Sequence, residues 1–205
     1  MEDAAGEHNR LFLEAVAVVK NEIPTSQQPH LSKPGWFLAR KLNRAIDLFK
    51  RSLQLNPQNW NAMWFIGKVQ QRLRNWDEAR VYLERAFQSN PTQPDSAREA
   101  SICAMELGQT DEAIRLAQSA LGLDPTNAGL GANLALAYLL ADRLGDARAA
   151  IDNASTCDNV DPISETVRAM IQHFAAHSRV PPNSTGSLVT YWHRHLRSLR
   201  KSSVL

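Results

Sequence analysis

The sequence has little of what usually announces a chemistry. Only two cysteines, Cys103 and Cys157, occur in 205 residues, too few for the cysteine-dense frameworks of small secreted domains. It contains no CxxC pair, glycine-rich phosphate loop, Ser-x-x-Lys or nucleophile elbow, so it offers no catalytic residues and no cofactor site, and no enzymatic activity is expected. No stretch approaches 18 uncharged apolar residues, which argues against a membrane span. The N-terminal MEDAAGEHNRLFLEAVAVVKNE has no basic region before its apolar run, and Glu14 and Lys20 interrupt that run. It does not read as a secretory leader, and the expected location is cytoplasmic. Asn153 and Asn183 fit the glycosylation pattern, which carries no meaning without secretion. One-sided charge is missing too. The formal net charge is +2 and the pI near 8.7, too mild by itself to argue for nucleic acid.

What the chain does have is self-similarity. Leu42–Pro57 reads LNRAIDLFKRSLQLNP, Trp76–Pro91 reads WDEARVYLERAFQSNP and Thr110–Pro125 reads TDEAIRLAQSALGLDP. Alanine recurs at Ala45, Ala79, Ala113 and Ala147, each 34 residues after the last. The closing pair recurs as Asn56-Pro57, Asn90-Pro91 and Asp124-Pro125. A period of 34 belongs to a helix–turn–helix array. A small residue lets two helices approach closely, and the apolar residue four later fills the groove beside it. One pair cannot bury both of its apolar faces, whereas stacked neighbours can.

These residues resemble the tetratricopeptide repeat family. The second half of each unit matches well, as Ala45/Phe49/Pro57, Ala79/Leu83/Pro91, Ala113/Ala117/Pro125, and Ala147/Ile151 with Asn159 replacing the proline. The first half is looser. Ile66-Gly67 and Leu134 with Tyr138 fit the family pattern, while Gln70 and Ala104 stand where Tyr is usual, and Met63, Ala97 and Gly131 where Trp is usual. The resemblance covers residues 36 to 158 closely and the ends loosely. It implies an all-α, right-handed superhelical solenoid of about four helix–turn–helix units with C-terminal closing helices, acting as a protein-interaction scaffold.

Taken in order, helical spacing from His8 to Asn21 gives a first helix. A proline-rich loop over 22–35 then stands where the register wants the first helix of unit one. The simplest account is that His8–Asn21 is that helix and that the loop behind it has grown. A loop this long is usually functional or disordered. Trp36–Gln54 is a long helix with Arg40, Lys41, Arg44, Lys50 and Arg51 on its exposed side. The expected units are 8–57, 59–91, 93–125 and 127–159, with a turn at Gly108 and another near Arg143–Gly145. A closing helix over 162–177 completes an array spanning 1–178. A linker over 179–186 leads to a basic amphipathic helix in 187–205, with Leu188, Trp192, Leu196 and Leu199 on one side. That helix either caps the array or docks on a partner or an anionic surface.

By the family resemblance, the first helix of each unit lines a concave surface. The register puts Asn61, Trp64, Phe65, Lys68 and Arg72 on that stripe, with Arg98 and Ile102 one unit on and Asn133 and Leu136 two units on. The expected site is therefore an aromatic and basic groove for a protein or peptide. Aromatic residues and Arg most often dominate interface energy; the competing reading packs Trp64 on a neighbouring helix or on the proline-rich loop. The two Lys, two Asn and Arg with which one subclass captures C-terminal carboxylates are not reproduced. Nucleic acid or a membrane, met through the basic helices at 40–51 and 194–201, is the alternative class. His173 and His177 stand four apart on one helix, a spacing open to metal, but Phe174 replaces the glutamate of the zinc-protease pattern. No metal site is expected. Cys103 reads as a small buried hydrophobe.

Overall fold

The computed structural model describes residues 4–23, 33–154 and 162–202. Most of the proline-rich loop, Cys157 and the last three residues lie outside them. Ten helices and no strand occur among the described residues: α1 Ala4–Val19, α2 Trp36–Leu55, α3 Trp60–Leu73, α4 Trp76–Ser89, α5 Pro94–Glu106, α6 Thr110–Leu123, α7 Ala128–Leu140, α8 Leu144–Ala154, α9 Pro162–His177 and α10 Thr185–Ser202. None is long and apolar enough to cross a membrane. The all-α helix–turn–helix architecture read from the 34-residue period is the one observed.

Local chemistry repeats with the period. The C-caps Asn56, Asn90 and Asp124 share one extended geometry, with φ of −137, −140 and −142°, because the proline after each disfavours helical angles in the residue before it. Asn59 and Asn127 open α3 and α7 by accepting Ala62 N–H and Leu130 N–H at 3.1 and 3.2 Å, as N-caps do. The turn inside each pair carries a period of its own. Arg74, Gly108 and Asp142 are left-handed, with φ of 68, 71 and 58°. The N–H of the following residue (Asn75, Gln109 or Arg143) reaches back to Gln70, Ala104 or Tyr138 O at 2.9 Å in each case. These are Schellman closures. The last turn is therefore centred on Asp142 rather than at Arg143–Gly145. Gly145 drew the expectation, but it lies inside α8, and Asx is the non-glycine residue type that best tolerates this conformation.

The chain divides into two compact bodies, Met1–Cys103 and Ala104–Leu205. In the first, α1 pairs with α2, and α3 with α4. Leu11, Ala15 and Val19 of α1 pack with Leu42, Ala45, Phe49, Ile66 and Val69 in one cluster, so α1 lies against α2 and α3. Buried His8 fastens it. Its Nδ1 lies 3.0 Å from Ser52 O and 2.8 Å from Ser52 Oγ, and Asn59 Nδ2 donates to its Nε2 at 3.0 Å. In the second body α6 packs on α7, α7 on α8, and both α7 and α8 on α9. Ala45, Ala79, Ala113 and Ala147 are all fully buried. The close approach they permit is visible at Gly67, where a Cβ would stand 2.5 Å from Leu83 Cγ.

Candidate interaction site

In the first body, α3 and α5 bring together the residues the register singles out. Asn61 is exposed, and Trp64, Phe65, Arg98 and Ile102 are half-buried. Phe65 turns inward. It stacks on Phe49 at 5.3 Å with an 11° tilt and meets Phe12 edge-on at 5.8 Å. Trp64 stands edge-on to Phe65 at 5.2 Å, and the Lys68 ammonium lies 5.9 Å from the centre of its ring. Phe12 could not be placed from the sequence, because 34 residues before Phe65 the register falls in the inserted loop.

The cations of this stripe are bound from within. Lys68 and Glu99 have side chains only 6% and 8% exposed, and Lys68 Nζ donates to Glu99 Oε2 at 2.7 Å. Arg98 reaches the other oxygen of Glu99 at 3.0 Å and Asp95 at 3.1 Å. Gln71, whose place in the network the sequence did not suggest, donates to Glu99 O at 3.1 Å and to Cys103 Sγ at 3.3 Å. Burial pushes the Glu99 carboxyl up, but the charges of Lys68 and Arg98 and hydrogen bonds from Lys68 and Gln71 outweigh it. The group is held below the ordinary carboxylate range. Arg72 is buried and donates through Nε to Glu22 O at 3.2 Å. The stripe thus presents an aromatic face over a paired network rather than an open row of positive charge.

On α2 the exposed cations are partly engaged as well, Lys41 with Glu22 at 2.9 Å and Arg44 with Glu14 at 3.1 Å. Asn133 and Leu136 are half-buried on α7 in the second body. A pocket of about 250 Å³ in that body is bordered instead by Pro125, Leu134, Tyr138, Ala149 and Asn153.

The histidines also assemble. His173 and His177 of α9 and His195 of α10 form one cluster, with the His173 ring centre 4.5 Å from that of His177 and 4.1 Å from that of His195. Among the described residues no group of three or more His, Cys, Asp or Glu is arranged to hold a metal. Burial first, then the charges of His195, His177 and Arg179, hold the His173 imidazole below its ordinary range.

A profile of the tetratricopeptide repeat matches residues 37–100 and 104–171, well over half of the chain. The chain belongs to the tetratricopeptide repeat family. Such arrays are in general non-catalytic protein-interaction scaffolds, and this one has the same helix-pair construction. It is 28% identical over 127 residues to the RNA polymerase-associated protein CTR9 of Caenorhabditis elegans, matching 61% of this chain but only 11% of that relative. Among solved structures, a tetratricopeptide repeat protein from Parabacteroides merdae superposes with a TM-score of 0.67 at 15% identity, covering 83% of this chain and 61% of that one. YrrB, described as having an unusual peptide-binding site, gives 0.59 at 18% identity and covers 82% and 93%. At these identities the solved structures speak for the fold alone.

Proposed function

We propose that the protein is a non-enzymatic adaptor that holds a peptide or protein segment against the α3 and α5 stripe of its first body, with Trp64 as the anchor. The observation that carries this is the contrast between two neighbouring aromatic rings. Phe65, half-buried like Trp64, is engaged by two rings, stacked on Phe49 and edge-on to Phe12, whereas Trp64 rests on Phe65 and Lys68. A rigid aromatic on an ordered support loses little entropy on binding, as interface anchors require. Asn61, Arg98 and Ile102 flank it on the same two helices. Asn133 and Leu136 are the corresponding positions of the second body.

The test is peptide display on the intact chain, with the selected peptides then titrated against Trp64→Ala. The variant should melt within a few degrees of wild type and bind about thirtyfold more weakly, since a lost anchor costs about 2 kcal/mol. A variant that unfolds, at a cost of roughly 3–5 kcal/mol, would make Trp64 a core residue. A stable variant with unchanged affinity would remove the site from consideration. Repeating the titration at high salt separates a peptide from a phosphate backbone, whose binding falls steeply as salt rises.

A further inference from the structure

The C-terminal helix α10 is held by an unusual seam. Leu188 is 1% and Trp192 9% exposed, whereas Leu196 is 38% exposed, so the first half of the apolar stripe of α10 is covered, while Arg194 and Arg197 on its other side are exposed. Where α10 meets α9, the contacts are aromatic and imidazole. Phe174 lies 5.3 Å from Tyr191, and His173 lies 5.6 Å from Trp192, 5.8 Å from Tyr191 and 4.1 Å from His195. His177 packs on His173 from the next turn of α9, and its own Nδ1 donates to His173 O at 2.8 Å.

The hydrogen bonds of this seam suit a neutral His173. Arg179 donates to the Tyr191 hydroxyl at 3.1 Å, which leaves the phenol proton free to be donated to His173 Nε2 at 2.9 Å. A second proton on the imidazole would place a charge beside two other imidazoles and a guanidinium. The titratable and charged groups facing His173 are His177 on α9, Arg179 just beyond it, and Tyr191 and His195 on α10. Among the described residues no carboxylate is one of them. Of the acids on neighbouring elements, Asp152 of α8 is bound by Arg168 at 2.6 Å, and Glu106 of α5 lies by Gly186 in the first turn of α10.

We propose that α10 is a detachable latch on the second body, docked on α9 through a seam of imidazole and aromatic rings and released by acid, which uncovers Phe174, Leu188 and Trp192. The direction follows from linkage. A histidine held below its ordinary value in the docked state favours docking above that value, 6.5, and loses that contribution as pH falls through the window beneath it.

Hydrogen-exchange mass spectrometry on the full chain tests this, with protection factors corrected for the intrinsic effect of pH. Between pH 7.5 and 5.5, protection across Leu188–His195 should fall severalfold, with about tenfold the ceiling for one histidine whose released value is 6.5, while α3 and α7 hold theirs. The double variant His173→Phe with His195→Phe keeps ring packing and removes both imidazoles, so α10 should stay protected at pH 5.5. If it fails to fold at pH 7.5, as circular dichroism would show, Arg179→Gln replaces it. That exposed change removes a fixed positive charge and should shrink the fall in protection. Equal protection of wild-type α10 at both pH values, loss of α7 in step with α10, or an undiminished fall in the variant used would each overturn the latch.

Discussion

Two polar clusters in this chain, each set around a buried group, are built on opposite electrostatic plans. In the first body Lys68 and Glu99 carry opposite charges at 2.7 Å, with Arg98, Asp95 and Gln71 completing the set. In the second, His173 meets His177, His195 and Arg179, all of the sign that repels its charged form. Both clusters lose stability on acidification, but in different windows. Glu99 is held below its ordinary 4.5, so its contribution is complete above that value and is lost as pH falls further. His173 is held below 6.5, so its loss begins about two pH units earlier. A paired network fixes its neighbours in one arrangement, whereas a like-signed cluster holds only while it stays neutral.

The largest expected effect comes from breaking the paired cluster on one side. Lys68→Ala leaves the Glu99 carboxylate buried with Arg98 as its remaining cationic partner, and removing one partner of a buried pair typically costs about 3–5 kcal/mol. Urea unfolding at pH 7 should show this as a lower midpoint with an unchanged slope. A cost below about 1 kcal/mol would mean the pair is more hydrated than its 6% and 8% exposures indicate.

A packing defect next to the same pair sharpens the comparison, because it should not respond to pH. Gly67→Ala would place a Cβ 2.5 Å from Leu83 Cγ, 2.9 Å from its Cδ2 and 3.2 Å from Ala79 O. Overpacking of this kind costs about 1–3 kcal/mol, more than the roughly 1 kcal/mol that alanine gains over glycine in a helix. The loss should be equal at pH 5 and pH 7. Ala79→Leu should behave alike, while Arg80→Leu, at a half-buried position paired with Glu84, should cost less. Equal and mild effects in all three would mean the repeat register is misassigned.

Much of the fold was legible because periodicity reports on packing. Alanines at 34-residue steps mark where helices touch, and all four are buried. The Asx-Pro pairs mark the ends of α2, α4 and α6, since proline forbids continuation. The step from Arg74 to Gly108 to Asp142 was hidden, because three different side chains share one backbone conformation. The site was legible only in outline. Stripe positions follow from helical spacing, but the partners that bury Lys68 and Arg72 come from α5 and from residues just after α1. The inserted loop lies between α1 and α2 and breaks the 34-residue step back to α1, so neither Phe12 nor Glu22 could be projected onto the stripe. The histidine cluster was half legible. His173 and His177 share a helix face by spacing, but the arrival of His195 depends on a helix–helix contact that no periodicity encodes.

An acid titration should separate the two clusters without any substitution. Followed by exchange at individual segments, protection in α10 should weaken below pH 6.5, while α3 and the α5 residues around Glu99 hold until the pH nears 4.5. Simultaneous loss in both would show that each body answers to some other group, and would dissolve the contrast drawn here.

The smallest expected effect is the most discriminating. Lys68→Met together with Glu99→Leu replaces the buried pair with apolar side chains of similar size, and such swaps are often neutral or stabilising, because two desolvation penalties vanish with the attraction. Arg98 keeps Asp95 at 3.1 Å, and its side chain is 25% exposed, so it is not stranded. The double variant should melt near wild type at pH 7 and lose the stability step that wild type shows as pH falls below 4.5. If it also keeps wild-type affinity for peptides that depend on Trp64, the pair contributes only to packing beneath the indole. If the fold holds but that affinity drops, the Lys68 charge beneath the ring is part of how Trp64 is presented to its partner.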